Sequence, residues 1–275
     1  MSGSFRLACV QVSAQNQLEN NIAAASYLIR KAADCGADLI SLPECVAMIE
    51  PDRRALLLKT PDEQNHPALS AFSELASEYR CWLHVGSIAV KHDGGKIANR
   101  SFLIDQSGVI VSTYDKIHMF DVDLGNGESY RESDTYQPGD SVKIASLPWG
   151  QLGLTICYDL RFPDLYIRLA KNGADFLAVP SAFTRTTGRA HWHVLLRARA
   201  IETGCWVFAA AQCGDHGKGR QTFGHSLIVD PWGEIVAEAG DEPGVISADI
   251  DPGRVGEARA AIPTLKSMSY LSSSS

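Results

Sequence analysis

Short apolar runs alternate with longer segments of helical periodicity along most of this chain. Apolar residues that recur three or four positions apart predict helices over residues 18–33, 67–80, 164–171 and 192–202. Continuous apolar and β-branched runs predict buried strands over residues 6–12, 37–42, 82–90, 151–156 and 206–212. This alternation predicts an α/β fold.

The region between residues 93 and 140 has a different character. Residues 93–95 (DGG) and 106–108 (QSG) are turn sequences, and the second turn joins predicted strands at 100–105 and 109–113 into a hairpin. Residues 116–140 are polar with little periodicity, and residues 138–139 (PG) mark a turn. A loop of this length within a compact domain is usually functional or disordered.

Two segments of the first half recur in the second half in the same order. Residues 35–43 (CGADLISLP) are echoed by residues 172–180 (NGADFLAVP), and residues 101–108 (SFLIDQSG) by residues 226–233 (SLIVDPWG). Two echoes with a similar separation predict an internal two-fold architecture. Because the halves would then share one core, we expect residues 1–275 to form a single domain. The end, about residues 264–275, has no core-forming pattern and is expected to be frayed.

Composition and charge exclude several classes of function. The net charge of −7, the pI near 5.6 and the lack of any Lys/Arg-rich run argue against nucleic-acid binding. No apolar stretch is long enough for a membrane span, and no secretory leader precedes the first predicted strand. The seven cysteines are scattered without CxxC spacing, which favours reduced thiols in the cytoplasm over disulfides or a zinc site. The eight histidines also lack a metal-binding spacing, so no metal is expected.

Cys157 stands where a predicted strand passes into a predicted helix. Helix N–H groups near such a turn favour a thiolate, and backbone N–H groups there can hold an oxyanion. A buried structural cysteine is an equally good interpretation of this stretch alone, because free cysteine packs as a small hydrophobic residue. The choice between the two depends on chemical partners elsewhere in the chain.

Two charged residues at the ends of other strands are candidate partners for the thiol. Glu44 follows the strand at 37–42, and Lys116 follows the hairpin strand that begins at residue 109. Each taken alone is more commonly a solvated side chain, but strand ends in α/β folds meet at one edge of the sheet. Together with Cys157 they predict a site in which a carboxylate takes the thiol proton, while an ammonium stabilises the oxyanion and favours the thiolate.

Three sequence blocks resemble the nitrilase superfamily of carbon–nitrogen hydrolases. They are residues 42–44 (LPE), 114–118 (YDKIH) and 156–163 (ICYDLRFP), and the resemblance extends from about residue 5 to about residue 263. It implies a four-layer α-β-β-α sandwich with an internal two-fold, assembled into homodimers or larger homo-oligomers, and it implies neither a metal nor an organic cofactor. The site residues that it implies are Glu44 as general base, Lys116 as oxyanion support, Cys157 as nucleophile, the backbone N–H of Tyr158 as a further oxyanion donor, and Glu132 as the residue that positions the lysine and the substrate.

Further segments resemble the amidase branch of that superfamily. They are residues 118–123 (HMFDVD), 181–188 (SAFTRTTG), 190–192 (AHW) and 210–214 (AAQCG). The resemblance implies cysteine-dependent hydrolysis, through a thioester acyl-enzyme, of the C–N bond of a small 2-oxo dicarboxylate amide such as deaminated glutathione. Omega-amidase, N-carbamoyl amidohydrolase and nitrilase activities with the same residues remain open, as does an inactive scaffold. Arg161, Arg185 and Arg189 are candidates for pairing with a substrate carboxylate.

Overall fold

Strands and helices alternate along the part of the chain that the computed structural model describes, which is residues 3–125 and 128–268. The strands are β1 (Phe5–Gln11), β2 (Leu39–Ser41), β3 (Trp82–Lys91), β4 (Ile97–Ile104), β5 (Ile110–Asp115), β6 (Asp121–Gly125), β7 (Glu128–Arg131), β8 (Lys143–Leu147), β9 (Gly150–Leu154), β10 (Phe176–Ala178), β11 (Trp206–Ala209), β12 (Cys213–Asp215), β13 (Gln221–Phe223), β14 (Leu227–Val229), β15 (Ile235–Glu238) and β16 (Gly244–Ile250). The α-helices are α1 (Leu18–Asp34), α2 (Arg53–Lys59), α3 (Pro67–Tyr79), α4 (Pro163–Lys171), α5 (Arg185–Thr203), α6 (Gly253–Ala261) and α7 (Thr264–Ser267).

Two six-stranded sheets share one strand plan. The first sheet has the order β16-β1-β2-β3-β4-β5, and the second has the order β8-β9-β10-β11-β14-β15. In each sheet an antiparallel edge strand precedes three parallel strands, and an antiparallel hairpin follows them. The equal order and direction of the strands confirm the internal two-fold predicted from the sequence.

The repeated Gly-Ala-Asp triplets occupy equivalent positions in the two sheets. Asp38 accepts a hydrogen bond from the backbone N–H of Arg6 at 2.8 Å, and Asp175 accepts one from the N–H of Gln151 at 2.9 Å. Each aspartate therefore ties the start of one parallel strand to its neighbour. The repeated sequence therefore reflects the same structural role, the connection of neighbouring parallel strands, in both halves of the chain.

The repeated hairpin turns match in the same way. Oδ1 of Asp105 accepts hydrogen bonds from the N–H groups two and four residues further along the chain, and Oδ1 of Asp230 does the same in the second half. Aspartate favours such turns because its short side chain can bind the backbone of the next residues. The glycine three residues after each aspartate has a positive φ, 83° at Gly108 and 87° at Gly233.

Helices cover the outer face of each sheet, and the inner faces of the sheets pack against each other. α1 and α3 lie against the first sheet, while α4 and α5 lie against the second. Side chains alternate along β1: Leu7 and Cys9 belong to the core shared with the second sheet, whereas Ala8 and Val10 belong to the core beneath α1 and α3. The predicted four-layer α-β-β-α sandwich is thereby confirmed.

The polar segment over residues 116–140, predicted as an irregular loop, contains regular structure. Strands β6 and β7 pair into a small antiparallel ribbon, and Glu132–Asp134 forms a 3₁₀ turn. Both ribbon strands alternate between exposed and half-buried residues and have no fully buried one. The prediction was wrong because a ribbon outside the core needs no apolar period.

The helix predicted over residues 192–202 begins earlier, at Arg185. The Thr184 side chain caps it by accepting a hydrogen bond from the N–H of Thr187. Gly188 lies in the second turn, where a Cβ would approach Phe223 to 2.3 Å. The first turns pack closely against β13 through this glycine and therefore show no apolar stripe in the sequence.

At the end of the described chain, α7 forms one helical turn within the segment expected to be frayed. The rest of that segment, from residue 269, lies outside the described residues. Across residues 3–125 and 128–268, no helix combines the length and the apolar character that crossing a membrane requires.

Candidate active site

Three strand ends bring a carboxylate, an ammonium and a thiol together. Glu44 follows β2 and Lys116 follows β5 in the first sheet, whereas Cys157 follows β9 in the second sheet. All three residues are buried. Lys116 Nζ lies 2.9 Å from Glu44 Oε1, and the thiol of Cys157 donates a hydrogen bond to the Glu44 carboxylate. The structure therefore places the three residues in direct contact.

Lys116 lies between two carboxylates. Besides Glu44, its Nζ donates to Glu132 Oε1 at 3.0 Å and to Glu132 Oε2 at 2.9 Å. Burial by itself would lower the pKa of Lys116, but the charges of Glu132 and Glu44 outweigh it and raise the pKa well above its ordinary value. Lys116 is therefore a permanent cation within the site.

The Glu44 carboxylate is fixed by donors on both oxygens. Oε1 also accepts from Asn99 Nδ2 at 3.0 Å, and Oε2 accepts from the N–H of Ala182 at 2.8 Å. Burial by itself would raise the pKa of Glu44, but Lys116, the Cys157 thiol and the Ala182 N–H outweigh it and lower the pKa. Glu44 is therefore ionised at neutral pH and is ready to accept the thiol proton.

Cys157 occupies an uncommon backbone conformation, with a φ of 49°. Its N–H donates to the carbonyl of Pro180 at 2.9 Å, which fixes the residue against the segment that follows β10. Cys157 begins a 3₁₀ turn, Cys157–Arg161, that leads into α4. A left-handed φ outside glycine costs about 1–3 kcal/mol and is concentrated at functional sites.

The resting thiol is neutral, which differs from the thiolate that the strand-to-helix turn predicts. Burial and the charge of Glu44 raise the pKa of Cys157 well above its ordinary value, and they outweigh the opposite effect of Lys116. Helix N–H groups and Lys116 favour a thiolate, whereas burial and the predicted carboxylate, Glu44, favour the neutral thiol whose proton Glu44 can take.

Asp159 ties the segment around Lys116 to the turn that carries the thiol. Its Oδ2 accepts from the hydroxyl of Tyr114 at 2.7 Å and from the N–H of Ile156 at 2.9 Å. Its Oδ1 accepts from the N–H of His118 at 3.1 Å and lies 2.7 Å from His118 Nδ1. Because Tyr114 and His118 flank Lys116 on both sides, this buried carboxylate fixes the lysine relative to the cysteine.

The Glu–Lys–Cys group opens into a cavity of about 630 Å³. Glu132, Tyr158 and Arg161 line this cavity, so the structure places these three supporting residues at the predicted site. Arg185 and Arg189 are not among its lining residues. Both lie in the first turns of α5, and their pairing with a substrate carboxylate stays a prediction.

Arg161 stands against aromatic rings at the cavity wall. Its guanidinium carbon lies 5.0 Å from the ring centroid of Phe183 and 5.9 Å from that of Tyr158. One of its nitrogens donates to His191 Nδ1 at 3.2 Å. These contacts orient the guanidinium where a substrate carboxylate can reach it.

Sequence reasoning missed three polar groups of the site. Asn99 of β4 donates to both Glu44 and Glu132. Its neighbours Arg100 and Ser101 are also polar, so the sequence of β4 does not single out Asn99. The Ala182 N–H has no signature in a sequence because it belongs to the backbone. Arg220 enters the cavity from the turn between β12 and β13.

A second group of side chains lies away from the cavity. Ligand-type atoms of His193, His225 and Glu238 lie within 4.8 Å of one another. Glu238 Oε1 is 2.8 Å from His193 Nε2 and 3.0 Å from His225 Nδ1. These mutual hydrogen bonds account for the closeness of the three side chains, and none of the three lines the cavity.

A buried thiol beside a carboxylate, at the edge of a four-layer sandwich, is suited to nucleophilic catalysis. The family model described as "Carbon-nitrogen hydrolase" matches residues 6–260. The chain belongs to this family and is an enzyme that hydrolyses carbon–nitrogen bonds.

Individual relatives are similar to this chain over most of its length. The chain is 38% identical over 270 residues to "Deaminated glutathione amidase" of Yersinia enterocolitica, which covers 97% of this chain and 94% of that protein. It is 40% identical over 268 residues to the Homo sapiens protein of the same name, which covers 94% of this chain and 81% of that protein. The crystal structure of Saccharomyces cerevisiae Nit3, a member of branch 10 of the nitrilase superfamily, has a TM-score of 0.85 at 30% identity and covers 94% of each chain. The resemblance found in the sequence is confirmed.

Proposed function

We propose that this protein hydrolyses the amide bond of deaminated glutathione and releases 2-oxoglutarate and cysteinylglycine. The observation that carries the proposal is the contact of Glu44 with both Lys116 and Cys157 at one cavity. The substrate is inferred from the Yersinia and human relatives, which carry the name deaminated glutathione amidase and align with nearly the whole chain.

In the acylation step, the thiol of Cys157 attacks the amide carbonyl while Glu44 takes its proton. A sulfur–carbon bond forms, and the carbonyl oxygen becomes an oxyanion that Lys116 Nζ and the N–H of Tyr158 stabilise. The oxyanion then collapses, the carbon–nitrogen bond breaks, and the leaving amine receives the proton from Glu44. The acyl group remains on Cys157 as a thioester.

In the deacylation step, Glu44 takes a proton from water as the water oxygen adds to the thioester carbonyl. The second oxyanion uses the same donors as the first. Its collapse breaks the sulfur–carbon bond and releases the carboxylic acid, and the thiolate of Cys157 recovers its proton from Glu44. Glu132 acts in both steps as a positioning residue, because it holds Lys116 Nζ through both of its oxygens.

The protonation states of the site support this division of roles. Lys116 cannot serve as the base, because its raised pKa keeps it protonated. Glu44 can serve as the base, because its lowered pKa keeps it ionised and its carboxylate already accepts the thiol hydrogen bond. A proton therefore moves between two groups that are in contact before substrate binds.

Intact-protein mass after brief exposure to deaminated glutathione tests the proposal, with cysteinylglycine release followed in parallel. The wild type should form a transient 2-oxoglutaryl adduct, and Cys157→Ala should lose both the adduct and at least about 10⁴-fold of the turnover. Cys35→Ala, which changes an exposed thiol, is the matched control and should retain both. Amide hydrolysis that persists in folded Cys157→Ala would contradict the mechanism.

We further propose that the protein acts in the cytoplasm as a homo-oligomer. Its seven cysteines are all free thiols, which supports a reducing compartment, and cell fractionation tests that placement. Exposed apolar side chains on α5 and on the turn after β14 support a contact between subunits.

A further inference from the structure

Arg220 is a charged cavity residue that the proposed chemistry does not use. It closes the tight turn between β12 and β13, where its N–H donates to the carbonyl of Gly217 at 3.0 Å and its carbonyl accepts from the N–H of His216 at 2.9 Å. The ring of His216 is buried and donates through Nδ1 to the carbonyl of Ala14 at 2.7 Å. The backbone of Arg220 is thus fixed, and its side chain lines the cavity.

The guanidinium of Arg220 has no hydrogen-bond acceptor within residues 3–125 and 128–268. The other cavity-lining arginines, Arg53, Arg131 and Arg161, each donate to a group of the protein. Neighbouring acidic groups stabilise the charge of Arg220 through space, but its N–H donors still lack an acceptor among the described residues. The planar fork of arginine matches a carboxylate through two parallel hydrogen bonds, so a ligand carboxylate would supply the missing partner.

A row of aromatic rings extends along the cavity from Arg161. Tyr158 lies beneath Arg161, Phe120 lies 5.1 Å from Tyr158, and Tyr130 lies 5.0 Å from Phe120, measured between ring centroids. Tyr130 is in turn one of the groups that interact electrostatically with Arg220. All five residues line the cavity, whose wall therefore carries both arginines.

The two arginines interact with different parts of the proposed catalytic group. Arg161 contacts Tyr158, the residue that follows the nucleophile. Arg220 interacts electrostatically with Glu44, which passes its proton to the leaving amine, and with the neighbouring Cys45. This difference favours Arg161 as the partner of the acyl part of the amide and Arg220 as the partner of the leaving part.

We infer that Arg220 binds a carboxylate on the leaving-group side of the scissile amide, so that the site selects amides with a carboxylate on each side. This inference rests on the proposed function. Deaminated glutathione has one carboxylate in its 2-oxo acyl part and one at its glycine end, and Arg220 binds the glycine carboxylate. Compact amides that release ammonia lack this second group.

Steady-state kinetics of Arg220→Gln test the assignment with two substrates. With deaminated glutathione, KM should rise about 10- to 100-fold while kcat changes by less than about threefold, because the lost contact is equal in the ground and transition states. With 2-oxoglutaramate, which lacks the glycine carboxylate, KM should change much less than with deaminated glutathione, and any effect of the lost charge on Glu44 should appear equally in kcat for both substrates. Arg220→Lys keeps the charge but lacks the planar guanidinium, so its KM for deaminated glutathione should lie between the values of the wild type and of Arg220→Gln. Arg30→Gln, at an exposed position of α1 outside the cavity, is the matched control and should match the wild type.

Binding to Cys157→Ala protein provides a readout without turnover. N-acetyl-cysteinylglycine should bind more tightly than its C-terminal amide, by a factor similar to the KM change, and Arg220→Gln should remove that preference. Equal increases in KM for deaminated glutathione and 2-oxoglutaramate would overturn the inference. A preference for the free carboxylate over the C-terminal amide that persists in Arg220→Gln would also overturn it. If the wild type does not hydrolyse deaminated glutathione, the proposed function fails, while the binding comparison still decides what Arg220 recognises.

Discussion

Lys116, Glu44 and Glu132 form a buried cluster of two carboxylates and one ammonium. Cys157 is buried beside this cluster. Burial and the charge of Glu44 disfavour a further anion there, which explains why the thiol keeps its proton although a lysine is close. At the scale of single residues, burial and the charges around the sulfur decide the chemistry of the resting site.

This balance predicts that the Cys157 thiol is protonated at neutral pH. The rate of its alkylation by iodoacetamide, resolved by mass spectrometry, should show no inflection at the ordinary thiol pKa of about 8.5 but one at higher pH. Glu44→Gln removes a charge that raises the pKa of Cys157, so the inflection should move to lower pH in that variant. Cys157→Ala identifies the adduct, and an inflection near neutral pH in the wild type would contradict the charge balance.

At the scale of elements, Gly86 of β3 decides how closely two strand ends approach. A Cβ at this position would lie 2.0 Å from the carbonyl oxygen of Leu42 and 2.5 Å from Cβ of Pro180. The segments that begin at these two residues carry Glu44 and the N–H of Ala182, which bind each other. The glycine therefore allows the two sheets to meet at the site.

Gly86→Ala should lower both stability and activity. The free energy of unfolding, measured in urea, should fall by about 1–3 kcal/mol, because backbone atoms must move to admit the new methyl group. kcat/KM should fall by about tenfold or more, because the shift separates groups that need accurate placement. Gly256→Ala in α6, where no atom lies within 4 Å of the new Cβ, should leave kcat/KM unchanged and raise the free energy of unfolding by up to about 1 kcal/mol, because alanine favours a helix over glycine. Wild-type stability in Gly86→Ala would show that the strand ends are not in close contact.

Sequence periodicity located the central strands and the main helices, because residues that are buried on one or both faces repeat with the period of their element. The edge strands β8 and β16 were not predicted, since exposed or half-buried residues alternate along much of their length. The ribbon β6–β7 was also not predicted, because it lies outside the main core. The first turns of α5 were not predicted, because their packing depends on a glycine rather than on apolar side chains.

At the scale of the whole molecule, α5 and the turn between β14 and β15 form one exposed apolar surface. Val194 and Ile201 of α5 are 68% and 51% exposed, and Trp232 of the turn is 52% exposed. Gly233 brings the turn against the helix, because its Cβ position lies 2.6 Å from Ile201. Contiguous apolar surface of this kind is typical of subunit contacts.

Light scattering on the purified protein should therefore give at least twice the chain mass of 29.8 kDa. Ile201→Glu places a charge in the proposed contact and should reduce the mass towards that of one chain. Tyr27→Glu on α1, at a residue that is 57% exposed, serves as the control and should leave the mass unchanged. A monomeric wild type would rule out the oligomer.

The sequence by itself determined where strands end and which chemical groups stand at those ends, because both depend on local periodicity and on the order of residues. Glu44, Lys116 and Cys157 could be recognised in this way. Only the tertiary structure decided their distances and charges, since Lys116 binds Glu44 across 72 positions and Ala182 binds it across 138. The neutral thiol and the inward position of Arg220 follow from those packed, long-range contacts, and burial and charge act through space rather than along the chain.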